Sequence, residues 1–181
     1  MSLTPSTMSP LGSIAPGFDL SNPKSGGRLT IAEAKGESGL LVMFICNHCP
    51  YVIHLESALI ALGDSYKDSA LGIVAISAND VANYPQDAPE LMAKKEYCFP
   101  YLYDEDQSVA KAYDAACTPD FFLYDANLKL VYRGQFDGSR PNSSTPITGS
   151  DLKSAMDLVL AGNPITENQV PSVGCNIKWQ N

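Results

Sequence analysis

Residues 40–66 constrain this chain more than any other stretch. Leu40 to Ile45 are six consecutive apolar residues, short enough for a strand and apolar enough for one covered on both faces. Cys46-Asn47-His48-Cys49-Pro50 follows directly. Then Val52, Leu55, Leu59, Leu62 and Tyr66 recur in steps of three and four, the spacing of one helix face. Two cysteines therefore stand where a central strand ends and a helix begins. The unpaired N–H groups and dipole of a helix N-terminus favour negative charge, and a thiolate is such a charge. Pro50 is tolerated only in a helix first turn, which pins the start close to the cysteines. Two cysteines three apart at such a place can approach within disulfide distance. The expectation is that Cys46, exposed and with a lowered pKa, attacks, while Cys49, a turn inward, resolves. Two incidental half-buried thiols, or half of a zinc site whose other ligands are scattered, are the competing readings.

The rest of the chain supplies the frame. Leu71 to Ser77 form a second buried strand, so strand, helix and strand make a βαβ unit with parallel strands. Asp87-Ala88-Pro89-Glu90 reads as a capping box opening a helix to about Tyr97. A short strand at Pro100–Tyr103 and a short helix over Gln107–Asp114 come next. Phe121–Tyr124 and Leu128–Tyr132, joined by Asp125-Ala126-Asn127, form an antiparallel hairpin. Residues 134–149 are a long Gly-, Pro-, Ser- and Thr-rich loop. Ser150 caps a last helix stopped by Gly162 and Pro164. Residues 1–17 read as an irregular arm, with Ala15–Leu20 able to open an edge strand. At 181 residues the chain is one domain, placed at 12–162, with residues 163–181 a tail packed on it.

Composition excludes several functions. The net charge is −8, and no basic cluster exists beyond Lys94-Lys95, which argues against nucleic-acid binding. The longest apolar run is too short to span a bilayer. Five cysteines, an odd number in a chain this long, argue against a secreted disulfide framework. No apolar run of signal-peptide length precedes Lys24, the first basic residue. The expectation is a cytoplasmic protein with mostly reduced thiols.

The βαβ unit, the hairpin entered through Thr118-Pro119, the helix after it and Cys-x-x-Cys at the first helix start together resemble the thioredoxin fold. That is an α/β fold with a central mixed sheet flanked by helices. The insertion between 78 and 116 and the Ala15-Pro16-Gly17-Phe18-Asp19-Leu20 opening resemble its peroxiredoxin branch, with an N-terminal extension. More narrowly, the chain is similar to the peroxiredoxin-like thioredoxin family proteins of bacteria, thioredoxin-fold redoxins of AhpC/TSA type. The stretches that carry this are Asn47-His48-Cys49-Pro50-Tyr51-Val52, Cys117-Thr118-Pro119-Asp120-Phe121-Phe122-Leu123, Tyr132-Arg133-Gly134-Gln135 with Ser139-Arg140-Pro141, and Gly174-Cys175-Asn176-Ile177-Lys178-Trp179.

The resemblance implies that Thr118-Pro119 is a cis-proline site facing the cysteines. Thr118 and Pro119 would then align an extended substrate. Cys117 would lie beside the site, as an accessory thiol or as a buried structural one. Cys175 is either buried by a tail docked through Ile177 and Trp179, or a late-resolving thiol on a mobile tail. Cys98 reads as core. His48 stands where periplasmic disulfide oxidases carry His; a protonated imidazole there would lower the Cys46 pKa and make a disulfide more oxidising. Departures also matter. With Cys49 in the peroxidatic slot, Cys46 and Val42 stand where a peroxiredoxin has Thr and Pro. No Arg occurs between Arg28 and Arg133 to stabilise charge on a peroxide oxygen. The strand before the motif also lacks the buried acid of thioredoxins.

The functional expectation is a thiol-disulfide oxidoreductase with catalytic Cys46, Cys49 and His48, needing no cofactor and no metal. Its partners would be a disulfide-containing protein or small thiol substrate and a dithiol reductant protein, with the chain a monomer or weak homo-oligomer. The alternatives are a weak thiol peroxidase of antioxidant type and a peptide-binding module without turnover.

Overall fold

The computed structural model describes residues 3–181. Its elements in chain order are β1 (Leu3–Pro5), β2 (Asp19–Asn22), β3 (Gly27–Thr30), α1 (Ile31–Ala34), β4 (Gly39–Phe44), α2 (Pro50–Tyr66) and β5 (Leu71–Ser77). A 3₁₀ turn (Pro85–Asp87) follows, then α3 (Pro89–Met92), β6 (Tyr101–Tyr103), α4 (Ser108–Ala112) and β7 (Cys117–Thr118). The chain ends with β8 (Asp120–Asp125), β9 (Leu130–Tyr132), α5 (Ser150–Leu160) and β10 (Val173–Asn176). Seven strands form one mixed sheet in the order β3-β2-β6-β5-β4-β8-β9, and β1-β10-β7 form a small antiparallel sheet beside it.

β4 lies inside the sheet, parallel to β5 on one side and antiparallel to β8 on the other. Every residue of β4 is buried, which is why it shows no polar alternation. Alternate side chains still go to opposite faces. Leu41 and Met43 pack with Leu55, Leu59, Leu62, Phe121 and Met156 under α2 and α5. Leu40, Val42 and Phe44 pack with Val74, Ile76, Tyr113 and Phe122 on the other face. The expected helix face on α2 is the buried one: Val52, Leu55, Leu59 and Leu62 lie inside, and the Tyr66 hydroxyl donates to Asp157 at 2.6 Å. Among the described residues no helix is long and apolar enough to cross a membrane.

Several local expectations change. The arm expected to be irregular contributes β1, whose Leu3 pairs with Cys175; Met1 and Ser2 lie outside the described residues. Glycine at 149, not Ser150, caps α5. The helix expected from Asp87 to Tyr97 is a 3₁₀ turn and a single helical turn, because the Asp87 side chain does not cap it. That carboxylate is turned toward residues 47, 48 and 79 instead. Cys98, expected in the core, is exposed.

Asp120 opens β8 opposite Phe44 and is completely buried. Its Oδ2 accepts the Ala116 N–H at 3.2 Å, while Oδ1 has no partner among the described residues. Burial pushes its carboxyl up from 3.8 to about 7. The folded protein therefore keeps a proton that the unfolded chain loses above about pH 4. The associated stability is fully present below the unfolded pKa and is lost as pH rises through about 7. Asp120→Asn, neutral throughout, should gain on the wild type by about 4 kcal/mol between pH 4 and pH 8, at ~1.4 kcal/mol per pH unit. Urea unfolding at the two pH values checks this; a difference that does not change with pH contradicts it.

Candidate functional site: a buried sulfur cluster at the start of α2

The chain leaves β4 through Ile45 and Cys46, crosses Asn47 and His48, and enters α2 at Pro50. Cys49 is the N-cap residue: it is extended, and the N–H groups of Val52 and Ile53 return to its carbonyl at 3.0 and 2.9 Å. The helix thus begins after the second cysteine rather than at the first. Pro50 explains this, since proline fits best at the first helical position, where an N–H has no partner anyway. Cys46 is not exposed as expected. It is 2% accessible, and Cys49 is fully buried.

Opposite them lies Thr118, whose peptide bond to Pro119 is cis. The Cys46 sulfur is 3.6 Å from the Thr118 hydroxyl, and the Cys49 sulfur lies 3.2 Å from the Thr118 carbonyl oxygen. Cys175 of β10 brings a third sulfur, 2.7 Å from Cys49 Sγ. Cys117 is buried, and its thiol donates to the Pro119 carbonyl at 3.5 Å. Thr118 and Pro119 therefore do face the cysteines, but the backbone edge expected for a substrate is taken. Cys175 of the chain's own tail is paired with Thr118, and Asn176 with Cys117.

The sulfurs do not hold their protons equally. Cys49 is pulled down to about 4, first by the hydrogen bond from the Cys46 thiol and further by Cys175, Thr118 and the Val52 amide, against the opposing effect of burial. Cys46 is driven up, first by that same bond to Cys49, then by burial and by the negative charge of Asp87. Burial and the bond to Cys49 push Cys175 up to about 12, while Lys178 works the other way. Burial and Asp120 drive Cys117 up. Within this coupled pair the shifts run downward at Cys49 and upward at Cys46, where the sequence leads one to expect the reverse. The reason is local: donors and the helix N-terminus converge on Cys49, whereas Cys46 sits beside an acid.

That acid is the residue the sequence reading missed. Asp87 is fully buried and accepts four hydrogen bonds: from the Asn47 N–H at 2.7 Å, the His48 N–H at 3.2 Å, His48 Nδ1 at 2.6 Å and Asn79 Nδ2 at 2.9 Å. It holds the loop between the cysteines and aims His48, whose Nδ1 is 4.0 Å from Cys46 Sγ. The imidazole stacks on Tyr84 with centroids 5.4 Å apart, and Lys178 Nζ lies 5.7 Å from that ring's centroid. Tyr101 donates to the Asn47 side chain at 3.1 Å. The signal for Asp87 was present but ambiguous, because Asp before Ala-Pro-Glu is also a helix cap. The ligand atoms of Cys46, His48 and Asp87 lie within 4.8 Å of one another, the one group able to approach a metal among the described residues. The donors already on Asp87 make them a hydrogen-bonded row. His54, expected on an outer face, reaches Ser139 Oγ at 3.2 Å.

A strand-to-helix cysteine pair facing a cis-proline on a mixed, helix-flanked sheet defines a thioredoxin-fold redoxin. The chain belongs to the AhpC/TSA family, which it matches over residues 11–133. It is similar over 99% of its length to the crystal structure of an uncharacterized conserved protein from Geobacillus kaustophilus, with 49% identity, a TM-score of 0.97 and 97% of that chain covered. A hypothetical protein from Sinorhizobium meliloti matches with 46% identity and a TM-score of 0.95, covering 98% of each chain. A more distant match, 20% identical with a TM-score of 0.65, is described as a candidate thiol:disulfide interchange protein DsbE from Chlorobium tepidum; it covers 83% of this chain and 98% of that one. That likeness shows the fold. No curated protein sequence matches significantly.

Two outcomes follow from the geometry. Thiolate ultraviolet absorbance should persist as pH falls until about pH 4, survive in Cys46→Ser, and vanish in Cys49→Ser; loss in the first variant alone would reverse the assignment. Asp87→Ala strands two backbone N–H groups and the Asn79 amide, and should cost about 3 kcal/mol or more in urea unfolding; a cost near zero would remove Asp87 from this role.

Proposed function

We propose that this chain is a thiol-disulfide oxidoreductase working through Cys46-x-x-Cys49. The observation that carries this reading is the convergence of both sulfurs on the cis-proline loop, with Cys46 Sγ 3.6 Å from the Thr118 hydroxyl and Cys49 Sγ 3.2 Å from the Thr118 carbonyl oxygen. The description of the Chlorobium tepidum neighbour as a thiol:disulfide interchange protein points the same way.

In this reading Cys46, 2% accessible where Cys49 is wholly buried, meets the visiting disulfide. Its proton passes to the Cys49 thiolate as it attacks, so that one bond forms between Cys46 and a substrate sulfur and the substrate S–S bond breaks. The released substrate thiolate takes a proton from water or from His48. His48, held by Asp87 with Nδ1 4.0 Å from Cys46 Sγ, faces the negative charge that develops there. Cys49, after losing its proton, attacks Cys46, forms the Cys46–Cys49 disulfide and frees the second substrate thiol. The substrate disulfide gains two electrons from the dithiol and two protons, one that was carried by Cys46 and one from water or His48. Electrons return from another dithiol protein by the reverse steps.

A thiol peroxidase is the second reading, favoured by the AhpC/TSA family and by the Cys49 thiolate. The arginines after the cysteine motif are engaged elsewhere: Arg133 by Ser9 and Gln169, Arg140 by Asp137, Ser139 and Gln135. Insulin reduction driven by dithiothreitol tests the first reading. Cys46→Ser and Cys49→Ser should each fall by about 100-fold or more; variants as active as wild type would leave a binding module without turnover. Stopped-flow thiol loss with hydrogen peroxide tests the second, which ends if the rate is no faster than that of free cysteine.

A further inference from the structure

We propose that Cys175 is a third redox-active thiol, and that the lasting oxidised form of this chain is a Cys49–Cys175 disulfide tying its C-terminal strand to the start of α2. The inference rests on the dithiol reading above and extends it. Three independent features of the fold support it. Cys175 Sγ lies 2.7 Å from Cys49 Sγ, across 126 residues of sequence. The strand that carries it is held in place: Cys175 pairs with Thr118 on one side and with Leu3 on the other. Gly174 makes this approach possible, because a Cβ there would collide with the Thr118 carbonyl. The tail beyond is also anchored. The Lys178 N–H donates to Asn79 Oδ1 at 2.9 Å, and the Lys178 carbonyl accepts from Asp80 and Gln107.

The placement gives the strand a chemical meaning. An extended peptide offered to the cis-proline loop of this fold would run along Thr118 and present its cysteine to the dithiol. β10 occupies that edge and presents Cys175. The chain is thus built as its own extended substrate. The step balances as a disulfide exchange. Once Cys46–Cys49 has formed, the Cys175 thiolate attacks Cys49, the Cys46–Cys49 bond breaks, Cys49–Cys175 forms, and Cys46 takes up the proton that Cys175 lost. No net oxidation occurs in this step, because the visiting disulfide has already taken both electrons. Cys46 is left reduced and ready for a dithiol reductant or a second substrate.

The two possible disulfides differ in a property other than activity. Cys46–Cys49 closes a tiny loop and barely restricts the unfolded chain. Cys49–Cys175 closes a loop of more than a hundred residues, which restricts it strongly. The full chain is oxidised with a small aliphatic disulfide, alkylated, and mapped by tryptic mass spectrometry, with urea unfolding run in parallel. The expected result is a cross-link between the peptide holding Cys46 and Cys49 and the peptide holding Cys175. Cys46 should be the alkylated cysteine, and the urea midpoint should be clearly higher than in the reduced protein. The cross-link should survive in Cys46→Ser, be absent in Cys49→Ser, and be absent with the midpoint gain in both Cys175→Ser and Cys175→Ala. Trp179, the only tryptophan of the chain, should report the tail's change by fluorescence. A Cys46–Cys49 disulfide with Cys175 still alkylated overturns this inference and leaves the dithiol reading standing. Full alkylation of Cys46 and Cys49 after oxidation overturns both.

Discussion

The proton affinity of a sulfur hidden from water is set by the protein groups that surround it, and this constraint orders the whole site. Cys49 is completely buried, so its charge can be held only by groups that the fold delivers. α2 delivers amide dipoles, the strand end delivers the Cys46 thiol, and the tail delivers the Cys175 thiol. The same low polarity limits the cluster to one anion, because a second charge a few ångströms away would repel it with little screening. Cys46 is accordingly held protonated by its neighbours, Asp87 among them. Asp87 can sit so close only because two backbone amides, an imidazole and an asparagine side chain satisfy it separately.

The architecture supplies these groups by bringing distant segments to one strand end. β4 is covered on both faces, so its residues are committed to packing. Chemistry is left to the point where it stops. From there β8 and its cis-proline approach on one side, the segment after β5 folds back with Asp87, and β10 closes the remaining edge of β7. The small sheet β1-β10-β7 joins both ends of the chain to the cysteine loop. Two cysteines, a threonine backbone and a tail strand therefore form one unit, and movement of the tail must alter the surroundings of Cys49.

Much of this frame could be read along the chain. The apolar run, the helical spacing after it and the second apolar run defined the βαβ unit, since a period of side chains reports directly on which face is buried. Pro50 limited the helix start to within one turn. The hairpin was visible from its turn residues. What misled was chemistry with two local meanings. Asp87 before Ala-Pro-Glu has the pattern of a helix cap, yet its carboxylate solvates the loop between the cysteines. Cys98 between two aromatics looks like core, yet it lies at the surface. Cys46, as the first cysteine of the motif, looks like the exposed thiol, yet it is buried.

Order along the chain was enough to place a cysteine pair at the mouth of a helix on a parallel strand, because hydrophobic periodicity and proline geometry act over a few residues. It could not say which sulfur carries the charge. Proton affinity depends on groups within a few ångströms, and here these come from residues 87, 118 and 175, joined to the motif only by folding. The pairing of Cys175 with Thr118 is the clearest case: nothing near either residue announces it, and only the closed tertiary structure brings the third sulfur to the second.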